Sequence, residues 1–236
     1  MNKRIYLSPP HMGGKEKNYI DSAFKDNWIA PIGANIDLFE KIIEDYLGEG
    51  FNVTALNSGT SAIHLGLKLL NVQKGDEVLV QSHTHVASVN PVLYLGATPI
   101  FIDSDNETGN LCPGFLEEAI KDRIKKGKKP KAIIAVHLFG VPYQVAEIRK
   151  VANTYDIPVL EDAASALGSS YKGQKCGTFG TISVLSFNGN KIITTGGGGM
   201  ILTNDEVTAK KAKHLTTQAK TSSFDYFHDD LGYNYR

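Results

Sequence analysis

The stretch SFNGNKIITTGGGGM (186–200) holds a single lysine, Lys191, between a strand-like run and four consecutive glycines. An ammonium placed there is either ordinary surface charge beside a loose turn, or an amine with space cleared around it so that it can react. Burial in an apolar site or a neighbouring cation lowers a lysine's pKa, and the neutral amine is then a usable nucleophile. Ser186, at the start of the same stretch, adds a hydroxyl suited to an anion site.

Three other clusters carry chemically versatile residues. In NSGTSAIHLGL (57–67), Asn57 and Ser58 are turn or cap residues, Gly59 permits close backbone approach, and Thr60 and Ser61 bring hydroxyls to a helix start. Free amides and the positive end of the helix dipole make such a start an anion cradle, although a well-capped helix has the same pattern. The spacing is neither that of a Walker loop nor that of G-x-G-x-x-G. In HTHVASVNP (83–91), His83 and His85 share a face if the segment is extended. No third ligand lies near enough to favour zinc, and a flat ring at a strand's end can instead stack on a planar cofactor. In VLEDAASALGS (159–169), Glu161 and Asp162 close an apolar run. Adjacent strand residues point to opposite faces, so only one of the two can face a site, which argues against paired acid–base catalysis by them. A carboxylate there can hold a protonated ring nitrogen, with the small residues that follow letting a ring lie close; the alternative is a helix cap for residue 163 onward.

A phosphate cradle, a stacking ring, a carboxylate for a pyridinium nitrogen and an imine-forming lysine are together what pyridoxal 5'-phosphate requires. No metal is expected.

These clusters must be positioned by a scaffold, and the hydrophobic pattern supplies an α/β one. Helical periodicity is expected over 37–47, 61–70, 86–96 (interrupted by Pro91), 113–127 and 144–155, and strands over 77–82, 98–103, 131–140, 157–163, 181–187 and 198–203. Strands separated by helices imply a mostly parallel sheet between helical layers, and near-continuous apolar strands fit burial on both faces. Ligands of such sheets sit beyond the carboxyl ends of the strands. No repeat or linker divides the 236 residues.

Bulk properties exclude several classes. Lys plus Arg and Asp plus Glu are 25 each, so no basic excess points to nucleic acid, and RIKKGKKPK (123–131) reads as a solvated helix end and loop. The two cysteines, Cys112 and Cys176, make no C-x-x-C, which fits a reducing cytoplasm. No apolar run reaches membrane-spanning length, and MNKRIYLSPP has no secretory apolar region.

The motifs NSGTSAIHLGL, EDAASALGS, GTFG, SFNGNKIITTGGGGM and GYNYR, in this order over nearly the whole chain, resemble the sugar aminotransferases of the DegT/DnrJ/EryC1/StrS group. The resemblance implies an aspartate-aminotransferase-like (fold type I) large domain over 1–236, with the smaller C-terminal domain of longer relatives absent and the chain truncated after Arg236. LSPPHMGGKE and NWIAPIG most resemble bacterial enzymes that aminate a UDP-linked 4-keto-6-deoxy-N-acetylhexosamine. By this resemblance Lys191 binds the cofactor and shuttles protons, and Asp162 pairs with the ring nitrogen. Gly59, Thr60 and Ser61 hold the phosphate with Ser186 beside them, His85 stacks on the ring and Ala164 packs on its other face. Asn234 would reach the phosphate of a partner subunit in a homodimer with shared sites, and Asn27, Trp28, Ile29 and Ala30 would line the sugar-nucleotide pocket. The implied activity is transamination to the 4-amino sugar in surface glycan biosynthesis, with glutamate as donor. The alternatives are the same chemistry on a GDP-perosamine or pseudaminic acid precursor, or a non-catalytic binding protein. Three positions depart from the family pattern: His85 in place of a larger aromatic, Ser165 where histidine is frequent, and Gly197 in place of glutamate.

Overall fold

The structure is a computed structural model that describes residues 4–6, 11–222 and 224–236. Residues 7–10 of the LSPPHMGGKE motif lie outside the described residues. In chain order the elements are α1 (Glu16–Lys25), α2 (Ala34–Leu47), β1 (Asn52–Leu56), α3 (Gly59–Leu69), β2 (Glu77–Gln81), α4 (Asn90–Tyr94), β3 (Thr98–Ile102) and α5 (Pro113–Lys125). Then follow β4 (Ala132–Val136), α6 (Val145–Thr154), β5 (Val159–Asp162), the short hairpin strands β6 (Ser170–Tyr171) and β7 (Gln174–Lys175), β8 (Ile182–Ser186), β9 (Gly199–Thr203) and α7 (Glu206–Thr216).

Seven strands form one sheet in the order β1-β9-β8-β5-β4-β2-β3. The run β3, β2, β4, β5 and β8 is parallel, and β9 is antiparallel to both its neighbours, β8 and β1. The carboxyl ends of β1, β2, β3, β4, β5 and β8 therefore share one edge, where β9 begins: Gly199 pairs with both Leu56 and Ser186.

Two apolar layers clothe this sheet. Residues of α2, α5 and α6, such as Ile43, Leu116, Ile120 and Ile148, pack with one face of the strands. Residues of α3, α4 and α7, such as Ile63, Leu65, Val92 and Leu215, pack with the other. The period of two along β5 sends Val159 to the first layer and Leu160 to the second. By the same alternation Glu161 and Asp162 belong to opposite faces.

Several elements differ from the sequence expectation. The helix expected over 86–96 is a 3-10 turn (Val86–Ser88) followed by α4, with Pro91 in the first turn of α4. Proline has no amide to continue the preceding helix but suits the start of a new one. The strand expected over 131–140 ends at Val136, and Phe139 then takes a left-handed conformation (φ 52°). β1, α1 and α7 carry weak patterns: α1 buries no residue, and α7 buries only Ala212, Leu215 and Thr216. No helix among the described residues is long and apolar enough to cross a membrane.

Candidate active site

The shared strand edge gathers most of the residues singled out in the sequence. Ser58 caps α3, its hydroxyl accepting from the Ser61 amide at 3.0 Å, and the Ser61 hydroxyl donates to Asn57 Oδ1 at 2.7 Å. The first amides of a helix have no intrahelical acceptor, which leaves those of Gly59 and Thr60 without one at the positive end of the dipole. A Cβ on Gly59 would lie 2.9 Å from the Cβ of Ser186, so the glycine lets the cradle close onto the end of β8.

The glycines after Lys191 have distinct surroundings. A Cβ on Gly199 would lie 2.2 Å from the Ser58 carbonyl oxygen and 2.6 Å from the Gly59 nitrogen, and one on Gly198 would meet Thr195 Oγ1 at 2.5 Å. Gly199 brings the start of β9 against the start of α3, and Gly198 lets the turn close on Thr195 and Phe187. Gly199 thereby shapes the cradle, while a Cβ on Gly197 would meet only the Asn57 carbonyl at 3.6 Å. Gly196 (φ +81°) serves the turn itself.

Lys191 lies in the turn beyond β8, and its Nζ donates to Ser165 Oγ at 2.8 Å. Burial pushes the amine below its ordinary pKa, and the nearby charge of Asp162 only partly offsets this. Ser165, one of the three positions that depart from the family pattern, thus holds the amine.

Asp162 ends β5 and is almost wholly buried. Its Oδ1 accepts from the Ala164 amide at 3.1 Å and its Oδ2 from the Ser88 hydroxyl at 2.7 Å. The carboxylate closes a turn, and no helix starts at residue 163. Ala164, half-buried, is fixed by the same bond. Ser88 itself meets Thr84 Oγ1 at 2.8 Å. Sequence reasoning missed both hydroxyls; their i, i+4 spacing directly around His85 was the available signal.

His85 begins the 3-10 turn that ends in Ser88, and the Ser88 amide donates to the His85 carbonyl at 2.9 Å. Its ring is exposed, and Nδ1 accepts from the Ala87 amide at 3.1 Å. That bond leaves the ring proton on Nε2. Among the described residues no three His, Cys, Asp or Glu side chains group as metal ligands.

Glu161 points to the other face, as the alternation requires. It is fully buried and accepts from His137 Nε2 (2.7 Å), Ser183 Oγ (2.7 Å) and the amides of Gly177 (2.5 Å), Phe179 (2.7 Å) and Gly180 (2.9 Å). Burial alone would raise its pKa; the bonds from His137, Ser183 and Gly177 outweigh it and hold the carboxyl below the ordinary range. The GTFG motif is therefore a loop folded around a carboxylate.

The remaining residues lie apart. Trp28, Ile29 and Ala30 line a cavity of about 270 Å³ with Ile20, Phe24 and Ile36, beside Asn27 in a left-handed conformation (φ 53°). None of the four bonds to the Lys191 cluster among the described residues. Asn234 is exposed within a pinned segment: Tyr233 and Tyr235 stack at 4.8 Å, Tyr235 OH meets His64 Nδ1 at 2.9 Å, and the Tyr235 carbonyl accepts from the Asn57 amide at 2.7 Å. The GYNYR motif is thereby tied to the loop that opens the cradle.

Comparison with known proteins agrees with this arrangement. EpsN of Bacillus subtilis (strain 168) is 49% identical over all 236 residues, which span 61% of its length. A GDP-perosamine synthase of Escherichia coli O157:H7 is 42% identical over 99% of this chain and 62% of its own length. The solved structure of Helicobacter pylori PseC, an aminotransferase involved in the biosynthesis of pseudoaminic acid, superposes with a TM-score of 0.89 at 28% identity, covering 99% of this chain and 62% of that one. The chain thus spans about three fifths of the length of these relatives. The family model described as the DegT/DnrJ/EryC1/StrS aminotransferase family matches residues 10–236, and with a cradle, a buried carboxylate and a depressed amine on one strand edge, the chain belongs to that family.

Proposed function

We propose that this chain carries the cofactor-binding part of a pyridoxal-phosphate-dependent aminotransferase acting on a nucleotide-linked keto sugar. The observation that carries the reading is Lys191: a half-buried amine of lowered pKa within the field of Asp162, on the same strand edge as the open start of α3. The residues present fit the cofactor. The amides of Gly59 and Thr60 with the hydroxyls of Thr60, Ser61 and Ser186 would hold the phosphate, Asp162 the ring nitrogen, and His85 and Ala164 the two ring faces. Relatives include solved PLP and PMP forms of Spr1654 from Streptococcus pneumoniae, 28% identical to this chain.

Bound there, pyridoxal phosphate supplies an electron sink for breaking a C–H bond beside a nitrogen. The chain's own contribution is positional and electrostatic. Asp162, fixed through both oxygens, would pair with a protonated ring nitrogen facing it. Lys191 Nζ would hold the cofactor at its aldehyde carbon, with the aldehyde oxygen leaving as water, and would carry protons as the amine when free; Ser165 sets where Nζ points. The dipole of α3 opposes the phosphate charge.

The substrate reading is a UDP-linked 4-keto-6-deoxy-N-acetylhexosamine, with glutamate as amino donor, in the cytoplasm. Residues 27–30 would receive the sugar nucleotide, and Asn234 would act across a homodimer on the partner's cofactor phosphate. A second reading, a GDP-linked keto sugar, is favoured by the 42% identity to GDP-perosamine synthase. Incubating the chain, loaded with pyridoxamine phosphate, with UDP- and GDP-linked 4-keto-6-deoxy sugars separates them. Amination of the UDP sugar alone supports the first reading and of the GDP sugar alone the second. Consumption of neither, with cofactor bound, would contradict both.

A further inference from the structure

The 3-10 turn Val86–Ser88 presents two side chains to the strand edge, and the proposed function uses only His85. Ser88 is 1% exposed, and its hydroxyl lies 2.7 Å from Asp162 Oδ2 and 2.8 Å from Thr84 Oγ1. A hydroxyl has one proton to give, and a carboxylate can only accept. The Ser88 proton therefore goes to Asp162, and Thr84 must donate to Ser88. The result is a directed chain, Thr84 to Ser88 to Asp162, in which each donor polarises the next. A carboxylate has about four lone-pair directions. Ser88 and the Ala164 amide occupy one on each oxygen of Asp162, and this fixes the plane of the group as well as its position.

We infer that Ser88 is a positioning residue: through its bond to Oδ2 it aims the free lone pairs of Asp162 at the ring nitrogen of the cofactor. This deepens the reading given under Proposed function and rests on it. Because Ser88 and His85 share one turn, closed by the Ser88 amide on the His85 carbonyl, the turn sets two contacts to a planar ligand at once, one to its edge and one to its face. A buried serine that merely needs a partner would be satisfied by any acceptor. Here the acceptor is the carboxylate whose charge reaches Lys191.

The test compares the wild-type chain with Ser88→Ala, Ser88→Thr and Thr84→Val. Pyridoxal phosphate affinity is followed by absorbance titration, thermal melting is recorded without cofactor, and the single-turnover rate with glutamate is measured on the loaded protein. Ser88→Ala is expected to bind the cofactor about tenfold more weakly, the equivalent of about one charged hydrogen bond. The maximal rate should fall about tenfold while the glutamate concentration at half-maximal rate stays unchanged. Ser88→Thr should restore both, and Thr84→Val should show a smaller loss. Ser88→Ala with wild-type affinity and rate, whatever its melting temperature, overturns the assignment. If Ser88→Ala does not fold, Thr84→Val decides, and wild-type affinity and rate there overturn the chain. Failure of the wild-type protein to bind pyridoxal phosphate would instead overturn the functional reading together with this inference.

Discussion

Glu161 and Asp162 are neighbours on one strand, are both buried, and do opposite work. Glu161 faces the layer of α2, α5 and α6 and takes five donors, from the residue after β4, from β8 and from the 177–180 loop. Asp162 faces the α3 and α4 side and takes two. Every direction around Glu161 is filled, so its charge is spent on holding the fold. Asp162 keeps acceptor capacity in hand, beside an amine whose pKa is already depressed. Both side chains are buried carboxylates. What separates structure from function is the number of donors already engaged.

The largest effect expected from this contrast is on stability at Glu161. Glu161→Ala removes a buried charge and strands its donors, and should cost about 3–5 kcal/mol in chemical denaturation. A loss below about 1 kcal/mol would mean that the knot does not hold the sheet. Asp162→Asn should do the reverse. The melting temperature should change little, while the turnover of the loaded protein drops by about 10²–10³-fold. Equal stability losses in the two variants would erase the comparison.

The glycines sharpen it at smaller scale. Gly199→Ala must displace the Ser58 carbonyl and should cost about 1–3 kcal/mol and weaken phosphate binding. Gly197→Ala meets only the Asn57 carbonyl at 3.6 Å and should stay within about 0.5 kcal/mol. The smallest effect is a pH slope at His64. Burial, then Lys68, lowers its pKa, so the fold prefers the neutral ring that shares a hydrogen bond with Tyr235 OH. The unfolded chain takes up the proton first as pH falls. The contribution of His64 is therefore full above about pH 6.5 and is lost below it. Stability measured between about pH 7 and 5 should fall less steeply in His64→Gln than in the wild type. An unchanged slope would remove His64 from the account.

Much of this was legible in the sequence because it rests on alternation and on local caps. The apolar runs gave β2, β4, β5, β8 and β9, and the opposite facing of Glu161 and Asp162 follows from their adjacency. The Ser58 cap was visible as a hydroxyl before a glycine and an apolar run. Other features depend on contacts between segments distant in the chain, which no local pattern records. Ser88 meets Asp162 across 74 positions, and Gly199 is small because Ser58 of another element lies against it. α1 and α7 were hidden for a different reason: the first buries no residue and the second few, so neither shows a strong apolar stripe.

The central claim is that one amine, Lys191, is the group that captures the cofactor. Pyridoxal phosphate is added to the chain, the adduct is fixed with borohydride, and the protein is digested for peptide mass spectrometry. The account predicts a phosphopyridoxyl group on Lys191, formed at substoichiometric reagent, and its loss in Lys191→Ala. Labelling spread over exposed lysines, with Lys191 unmodified, would contradict it.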